Sequence, residues 1–364
     1  MSTRAVVIGW ALLALMVPGQ AAANPALLFE PATGNVLFAE DADALWHPAS
    51  LTKLMTAYLT FEALKQGKLT LDSKVVTTEK AFAQTPSKIG LPLGGELSVD
   101  IALQALIIKS ANDVAMMLAE SIAGSEEAFA EQMNAAAKRL GMTRTQFFNP
   151  NGLPNPGQIT TARDLALLAS AILREYPEHI QLFSMPQMAI GKRHIATHNG
   201  LLRSFAGADG MKTGFTCDSG YNIVASASRD GRRLVAVVLG EPSGLSRSVR
   251  AAALMEHGFQ TYDWKLQFGA PTLETLPASA NAGQGPTSVR NSVMTWDCGG
   301  RKRPVAKVKR PRPAGAAVAA SGQAGGADAA GKSAAPTAAT AKAKPKGSVH
   351  AARTGNTPAK ADAQ

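Results

Sequence analysis

Only two cysteines, Cys217 and Cys298, occur in 364 residues. That is too few for a disulfide framework to stand in for a hydrophobic core. Long apolar runs are equally scarce. Ala5 to Val17 is 13 residues, short of the roughly 20 that a membrane-spanning helix needs, and no later segment comes closer. This run follows Arg4 and precedes Pro18-Gly19 and the small residues Ala21-Ala22-Ala23, which is the order of an export signal over residues 1–23. A mature chain starting near Asn24, outside the cytoplasm and soluble, is expected. Fixed-period repeats are missing, so a solenoid or propeller is not indicated. Histidines at metal-ligand spacing are missing as well, and neither a metal nor an organic cofactor is expected.

Charge of one sign is absent from most of the chain. The net charge is +10, yet 13 Lys or Arg against 2 Asp lie between Arg301 and Gln364, a net of +11, so everything before sums to about −1. A near-neutral body gives no ground for nucleic-acid recognition. From Gly299 the chain is Ala, Lys, Pro and Gly without aromatics, a composition that cannot bury enough surface to fold alone. Residues 264–300 are expected to be an irregular extension and 301–364 a disordered basic tail, suited to anionic lipid headgroups or wall polymer or else to no partner.

The body, residues 24–263, reads as strand, turn, strand from Ala26 to Glu40, then a helix from Ser50 to Leu64 with Leu51, Leu54, Met55, Tyr58 and Leu59 at helical spacing. Thr77 to Leu97, rich in Pro and Gly, reads mainly as loop. Helices follow from Ser98, from Asn112-Asp113 and from Ser125, and another from Thr161 to Arg174. Gly210–Thr216, Tyr221–Arg229 and Arg232–Leu239 read as strands, the last two joined by the hairpin signal Asp230-Gly231, and Ser246 to Phe259 closes as a helix. Strands at both ends around a helical middle fit an α/β body whose termini share one antiparallel sheet.

Three short elements carry the chemistry. Ser50-Leu51-Thr52-Lys53 places a hydroxyl and an amine on one helix face, roughly 5–6 Å apart at Cβ. A serine hydroxyl needs a base to become a nucleophile, and a lysine becomes one when burial or a second cation, such as Lys212, lowers its pKa. The plain alternative is that Ser50 caps the helix. Ser110-Ala111-Asn112 offers a hydroxyl that can pass a proton and an amide that can hold a peptide; the same residues with Asp113 also make a good helix cap. Lys212-Thr213-Gly214 offers positive charge and a hydroxyl for a carboxylate, with a glycine that leaves the strand bare for an extended peptide. Its alternative is an edge strand protected by a lysine.

Together with their flanks, these elements resemble the low-molecular-mass penicillin-binding proteins, the serine D-Ala-D-Ala carboxypeptidases. The resemblance rests on Pro48 to Thr56, Ser110-Ala111-Asn112-Asp113, Phe148-Asn149-Pro150-Asn151-Gly152-Leu153, Thr161-Ala162-Arg163-Asp164, and Asp209 to Gly214 followed by Gly220-Tyr221-Asn222. It covers roughly Asn24 to Asp263. It implies a penicillin-binding transpeptidase or β-lactamase-like α/β fold, an antiparallel sheet flanked by helices with an all-helical subdomain.

It also implies roles. Ser50 would be the nucleophile toward peptidoglycan stem peptides, Lys53 the general base and Ser110 the proton relay. Asn112, Lys212, Thr213 and Gly214 would bind substrate, the backbone N–H groups of Ser50 and Phe215 would form the oxyanion hole, and β-lactams would acylate Ser50. A crosslink-cutting endopeptidase and a low-turnover wall- or penicillin-binding module are the alternatives; a water-activating Glu-x-x-x-Asn loop, as in a β-lactamase, is not found between Ser110 and Lys212. Two departures stand out. Phe215 replaces the histidine that often follows Lys-Thr-Gly, and residues 264–364 show neither the β-rich second domain nor the amphipathic anchor of many members. Cys217 and Cys298 are left open between a bridge, which would tie the segment after Gly214 to the end of the body, and two free thiols.

Overall fold

The computed structural model describes residues 24–267 and 269–293, together with Thr295 and Cys298. The expected export signal (1–23) and basic tail (301–364) lie outside the described residues. The elements in chain order are β1 (Ala26–Phe29), β2 (Val36–Glu40), α1 (Lys53–Lys65), β3 (Lys74–Val76), α2 (Glu79–Ala83), β4 (Glu96–Ser98), α3 (Val99–Gln104), α4 (Asn112–Ala123), α5 (Glu126–Arg139), α6 (Ala162–Glu175), α7 (Gln181–Ser184), β5 (Gln187–Ile190), β6 (Arg193–Ala196), α8 (Leu201–Ser204), β7 (Ala208–Thr216), β8 (Gly220–Arg229), β9 (Arg232–Glu241) and α9 (Gly244–Gln267).

One antiparallel sheet, ordered β2-β1-β9-β8-β7, joins both ends of the body as expected. Leu27 pairs with Val237 and Leu28 with Ala236. Alternate side chains of a strand point to opposite faces, and here both faces are covered. Leu27, Phe29, Val235, Val237 and Leu239 join the core built with α1, α4 and α6. Leu28, Leu234, Ala236 and Val238 meet Ala251, Met255 and Tyr262 of α9. That is why β9 reads as a near-continuous apolar run rather than an alternation.

The helical half is centred on α1, buried along its length from Lys53 to Thr60 and on to Phe61, and on α4, buried from Asn112 to Ala119. A helix apolar on most sides belongs in an interior. Ser98, Ser125 and Thr161 cap α3, α5 and α6 by accepting from Ile101 N, Ala128 N and Asp164 N. Two expected caps do not form. Ser50 lies within a 3₁₀ turn, Ala49–Thr52, that leads into α1, and no side chain caps either segment. The N-cap of α4 is Ala111, again without a side-chain bond, because Asp113 instead accepts from Ile89 N and Gly90 N. The loop read for Thr77 to Leu97 holds α2 and β4, and the β3-β4 and β5-β6 hairpins were not foreseen. Among the described residues no helix is long and apolar enough to cross a membrane.

α9 continues to Gln267, and residues after it return along the body with one 3₁₀ turn, Ala280–Gly283. Their anchor is a salt bridge. Arg163 pairs in bidentate fashion with Asp43 at 2.7 and 2.8 Å and donates to the carbonyls of Leu273, Leu276 and Pro277. Ser279 donates to Asp43 from its backbone and hydroxyl. Both charged side chains are largely buried, so removing one strands the other. Arg163→Ala should therefore lower unfolding free energy by about 3 kcal/mol, measured by urea denaturation, whereas Arg174→Ala at an exposed pair should change it by under about 1 kcal/mol.

Candidate active site

The three elements picked out in the sequence meet at one cleft of roughly 470 Å³ between the free edge of β7 and the helical half. Ser50, Ser110, Asn112, Thr213 and Gly214 line it. Each wall rests on an unusual piece of backbone. Ala49, with φ of 48°, turns the chain into the Ser50 segment, and Ser110, with φ of 59°, follows a π-helical turn over Ala105–Lys109. Left-handed non-glycine residues and π turns cost free energy and persist where tertiary contacts hold them.

Two glycines allow the walls to close. A Cβ on Gly152, whose φ is 83°, would lie 1.8 Å from Ala49 O. One on Gly214 would lie 3.0 Å from Pro48 O and 3.1 Å from Ser50 N. The bareness of Gly214 thus makes room for the backbone of the turn at residues 48–50, on a residue that also lines the cleft. From behind, Asn222 of β8 donates to His47 O and Pro48 O while accepting from Gly240 N.

Lys53 is fully buried and its amine has three oxygen neighbours: Ser50 Oγ at 3.0 Å, Asn112 Oδ1 at 2.7 Å and Asn151 O at 2.6 Å. An ammonium could donate to all three. A neutral amine has two N–H bonds and one lone pair, which suits two obligate acceptors and one hydroxyl able to donate. The surroundings favour the neutral form. Burial, and next the Lys212 cation, push the Lys53 pKa well below its ordinary value, with Asp113 opposing. Lys212 is itself brought down to about 7 by burial and then by Arg247.

The Lys212 amine lies 2.9 Å from Ser110 Oγ and 2.9 Å from Thr213 O. The partner of Ser110 is thus Lys212, while Asn112 sits against Lys53. Asn112 also donates to Thr85 O, and its backbone N–H to Ser87 O, so one residue joins Lys53 to the loop forming the opposite lip. Lys212 is almost wholly buried, which removes the reading of a solvated edge-strand charge.

Sequence reasoning missed several groups here. Asn151 acts through a carbonyl, to which side-chain identity gives no clue. Arg247, on the first turn of α9, lines the cleft with its Nε buried and without a hydrogen-bond partner among the described residues. Its pKa falls to about 10, from burial. A cation in the first turn opposes the helix dipole, and that was a usable signal. His198 stands at the rim, its pKa brought down to about 4 by partial burial, then by Lys212, Lys109, Arg247 and Lys53. Phe215, exposed at the cleft, lies tilted against Tyr221 with ring centroids 4.3 Å apart. Cys217 and Cys298 are bridged, which settles the alternative left open above. Among the described residues no group of three or more His, Cys, Asp or Glu converges as a metal-ligand set.

Residues 14–243 match the profile of the D-alanyl-D-alanine carboxypeptidases, peptidase S11. The chain belongs to this family. It is 37% identical over 253 residues to the D-alanyl-D-alanine carboxypeptidase DacA of Haemophilus influenzae, covering 68% of this chain and 64% of that protein. It is 38% identical to DacC of Escherichia coli, with 65% and 61% covered. The chain thus spans somewhat under two thirds of these relatives. Among solved structures, penicillin-binding protein 5 of H. influenzae superposes with a TM-score of 0.64 at 37% identity, covering 67% of this chain and 72% of that one. The ampicillin-bound penicillin-binding protein D2 of Listeria monocytogenes gives 0.60 at 33%, covering 65% and 98%. The expected fold is the fold found.

A buried lysine whose pKa is lowered in the folded state takes up a proton on unfolding at any pH between its folded and unfolded pKa values, so stability rises with pH across that window. For Lys212 that window runs from about 7 to about 10.4. Unfolding free energy should increase from pH 7 to 9.5 in the wild type, by up to about 1.4 kcal/mol per pH unit from this residue. Lys212→Met should flatten the slope, as urea denaturation across the pH series will show.

Proposed function

We propose that the protein is a serine D-Ala-D-Ala carboxypeptidase that removes the terminal D-Ala from peptidoglycan stem pentapeptides through an acyl-enzyme on Ser50. The observation that carries this reading is the Lys53 amine, buried beside Ser50 Oγ at 3.0 Å with its other contacts taken by Asn112 and Asn151. The neutral amine takes the Ser50 proton as Oγ attacks the penultimate D-Ala carbonyl. The N–H groups of Ser50 and Phe215 receive the developing oxyanion; a single donor of this kind contributes on the order of 3–4 kcal/mol in other hydrolases.

Ser110 relays the proton taken by Lys53 to the leaving amine, and the Lys212 ammonium, donating to Ser110 Oγ at 2.9 Å, orients that hydroxyl. Thr213, Lys212 and Arg247 hold the terminal carboxylate, and Asn112 holds the substrate amide. Water then releases the shortened peptide. β-Lactams present a similar carboxylate and acyl group, so they acylate the same serine. Supporting this reading are the family, and the relatives named for the activity or seen with ampicillin.

The test is incubation of the full chain with a pentapeptide muropeptide and a crosslinked dimer, followed by mass analysis. Loss of one D-Ala from the monomer is the expected result, and Ser50→Ala should lower its rate at least about a thousandfold. The acylation rate with a β-lactam should rise with pH along an acid limb set by Lys53, since the base form is favoured as pH increases. Cleavage of the dimer alone would replace the proposal with an endopeptidase. No product from either substrate, with Ser50→Ala behaving identically, would overturn both and favour a binding module.

Residues 1–23 serve in this reading as an export signal, placing the enzyme at the wall, and the basic residues after Arg301 as a contact to anionic lipid or wall polymer. Truncation after Gly300 should leave peptide hydrolysis intact and weaken retention on anionic vesicles or wall fragments; unchanged retention on both would refute the contact.

A further inference from the structure

The Cys217–Cys298 bridge spans 81 positions of sequence and is one of several contacts on a single turn. Cys217, Asp218 and Ser219 connect β7 to β8 directly after Phe215 and Thr216. Val289 N donates to Asp218 O at 3.0 Å, and the Ser288 hydroxyl donates to Asp218 Oδ1 at 2.8 Å. Arg290 donates to both carboxylate oxygens of Asp218, at 3.0 and 2.8 Å. Val289 also packs so closely that a Cβ on Gly220 would lie 2.8 Å from its Cγ2. Backbone, hydroxyl, ion pair, packing and covalent bond thus converge on residues 217–220 from one stretch of the extension. That stretch is itself held upstream by the Asp43–Arg163 anchor.

The turn needs such support. β7 ends the sheet and pairs with β8 alone, because its other edge must stay open to the cleft. A strand held on one edge opens at its end more readily than one held on both. The end in question carries Gly214 and Phe215 beside Ser50, and Asp218 with Thr216 also lines a second hollow, of roughly 260 Å³, against the Ser50 turn.

We infer that residues 288–290 and Cys298 form a positioning clamp on the β7-β8 turn, latched by the disulfide, that holds the Phe215 amide in place for acylation of Ser50. The clamp rests on the acyl-transfer reading of Ser50. Arg290, Asp218 and the two cysteines act through Phe215 and touch no substrate. The extension after α9 is then part of the working enzyme rather than a spacer.

Acylation by a fluorescent penicillin tests this, with the first-order acylation rate resolved from the non-covalent dissociation constant. Four forms of the full chain are compared: oxidised wild type, wild type reduced by dithiothreitol, the Cys217→Ser/Cys298→Ser double variant, and Arg290→Ala with the bridge intact. Reduction transfers two electrons and two protons from the dithiol to the bridge, and thiol titration verifies it. With the bridge open, the acylation rate should fall about tenfold or more, as expected for displacement of a catalytic group by under 1 Å, while the dissociation constant changes less than twofold and near-ultraviolet circular dichroism is kept. Arg290→Ala should lie between these forms and the wild type. Equal acylation rates with the bridge verified open would overturn the clamp alone. Loss of affinity, spectrum and rate together would also overturn it, showing the bridge to be a general stabiliser. An oxidised wild type that never acylates would overturn the Ser50 reading and the clamp with it.

Discussion

A fully buried lysine amine surrounded by three oxygens is the constraint around which the rest of the site is arranged. Ser50 reaches Lys53 from the same helical turn, Asn112 from the start of α4, and Asn151 from the loop after α5. Each partner therefore comes from a different part of the body, and each must be brought within about 3 Å for the amine to be tolerated there. The buried face of α1, the π turn before Ser110 and the sharp turn at Gly152 are the local conditions for this convergence. A second buried cation, Lys212, makes the same demand from the sheet side, and the two amines raise the cost of charging each other. Two groups that would be costly separately tune one another when adjacent.

The parts legible from sequence are those in which residue type determines the result locally. Helix starts at Ser98, Ser125 and Thr161 follow from side chains that accept backbone N–H bonds. The Asp230-Gly231 hairpin follows from two residues that accept positive φ, and the sharing of one sheet by both termini follows from the order of strands and helices. The three catalytic-type elements were legible as a set, although each alone had an ordinary explanation. Two of those explanations fail because the side chains are engaged elsewhere: Ser50 pairs with the Lys53 amine, and Asp113 accepts from Ile89 N and Gly90 N across the loop.

What was not legible depends on backbone atoms and on distance in sequence. Asn151 contributes a carbonyl, the bareness of Gly214 answers a neighbour more than 160 positions away, and the partner of Ser110 is Lys212, 102 positions on. Arg247 was readable in principle, since its charge is misplaced for the helix on which it sits. The near-neutral charge of the body also concealed a cleft in which basic side chains gather, because composition averages over a surface that the fold divides. Lys53, Lys212, Arg247 and Lys109 gather on one side of a body whose carboxylates are spent elsewhere, in pairs such as Asp43–Arg163 and Asp218–Arg290.

The position of β1 in the sheet has a temporal meaning. It lies between β2 and β9, so after forming a hairpin with β2 it waits for a partner that emerges only when the chain is complete to about residue 241. Closing so long a loop costs little more than closing a short one at equilibrium, but such non-local pairing is slow. Until β9 arrives, β7 and β8 can pair with each other but nothing joins them to β1, and Lys212 is not held opposite Lys53. In the proposed reading the chain in transit is thus chemically silent: its serine remains an ordinary hydroxyl, and reactivity appears only when the last strand takes its place.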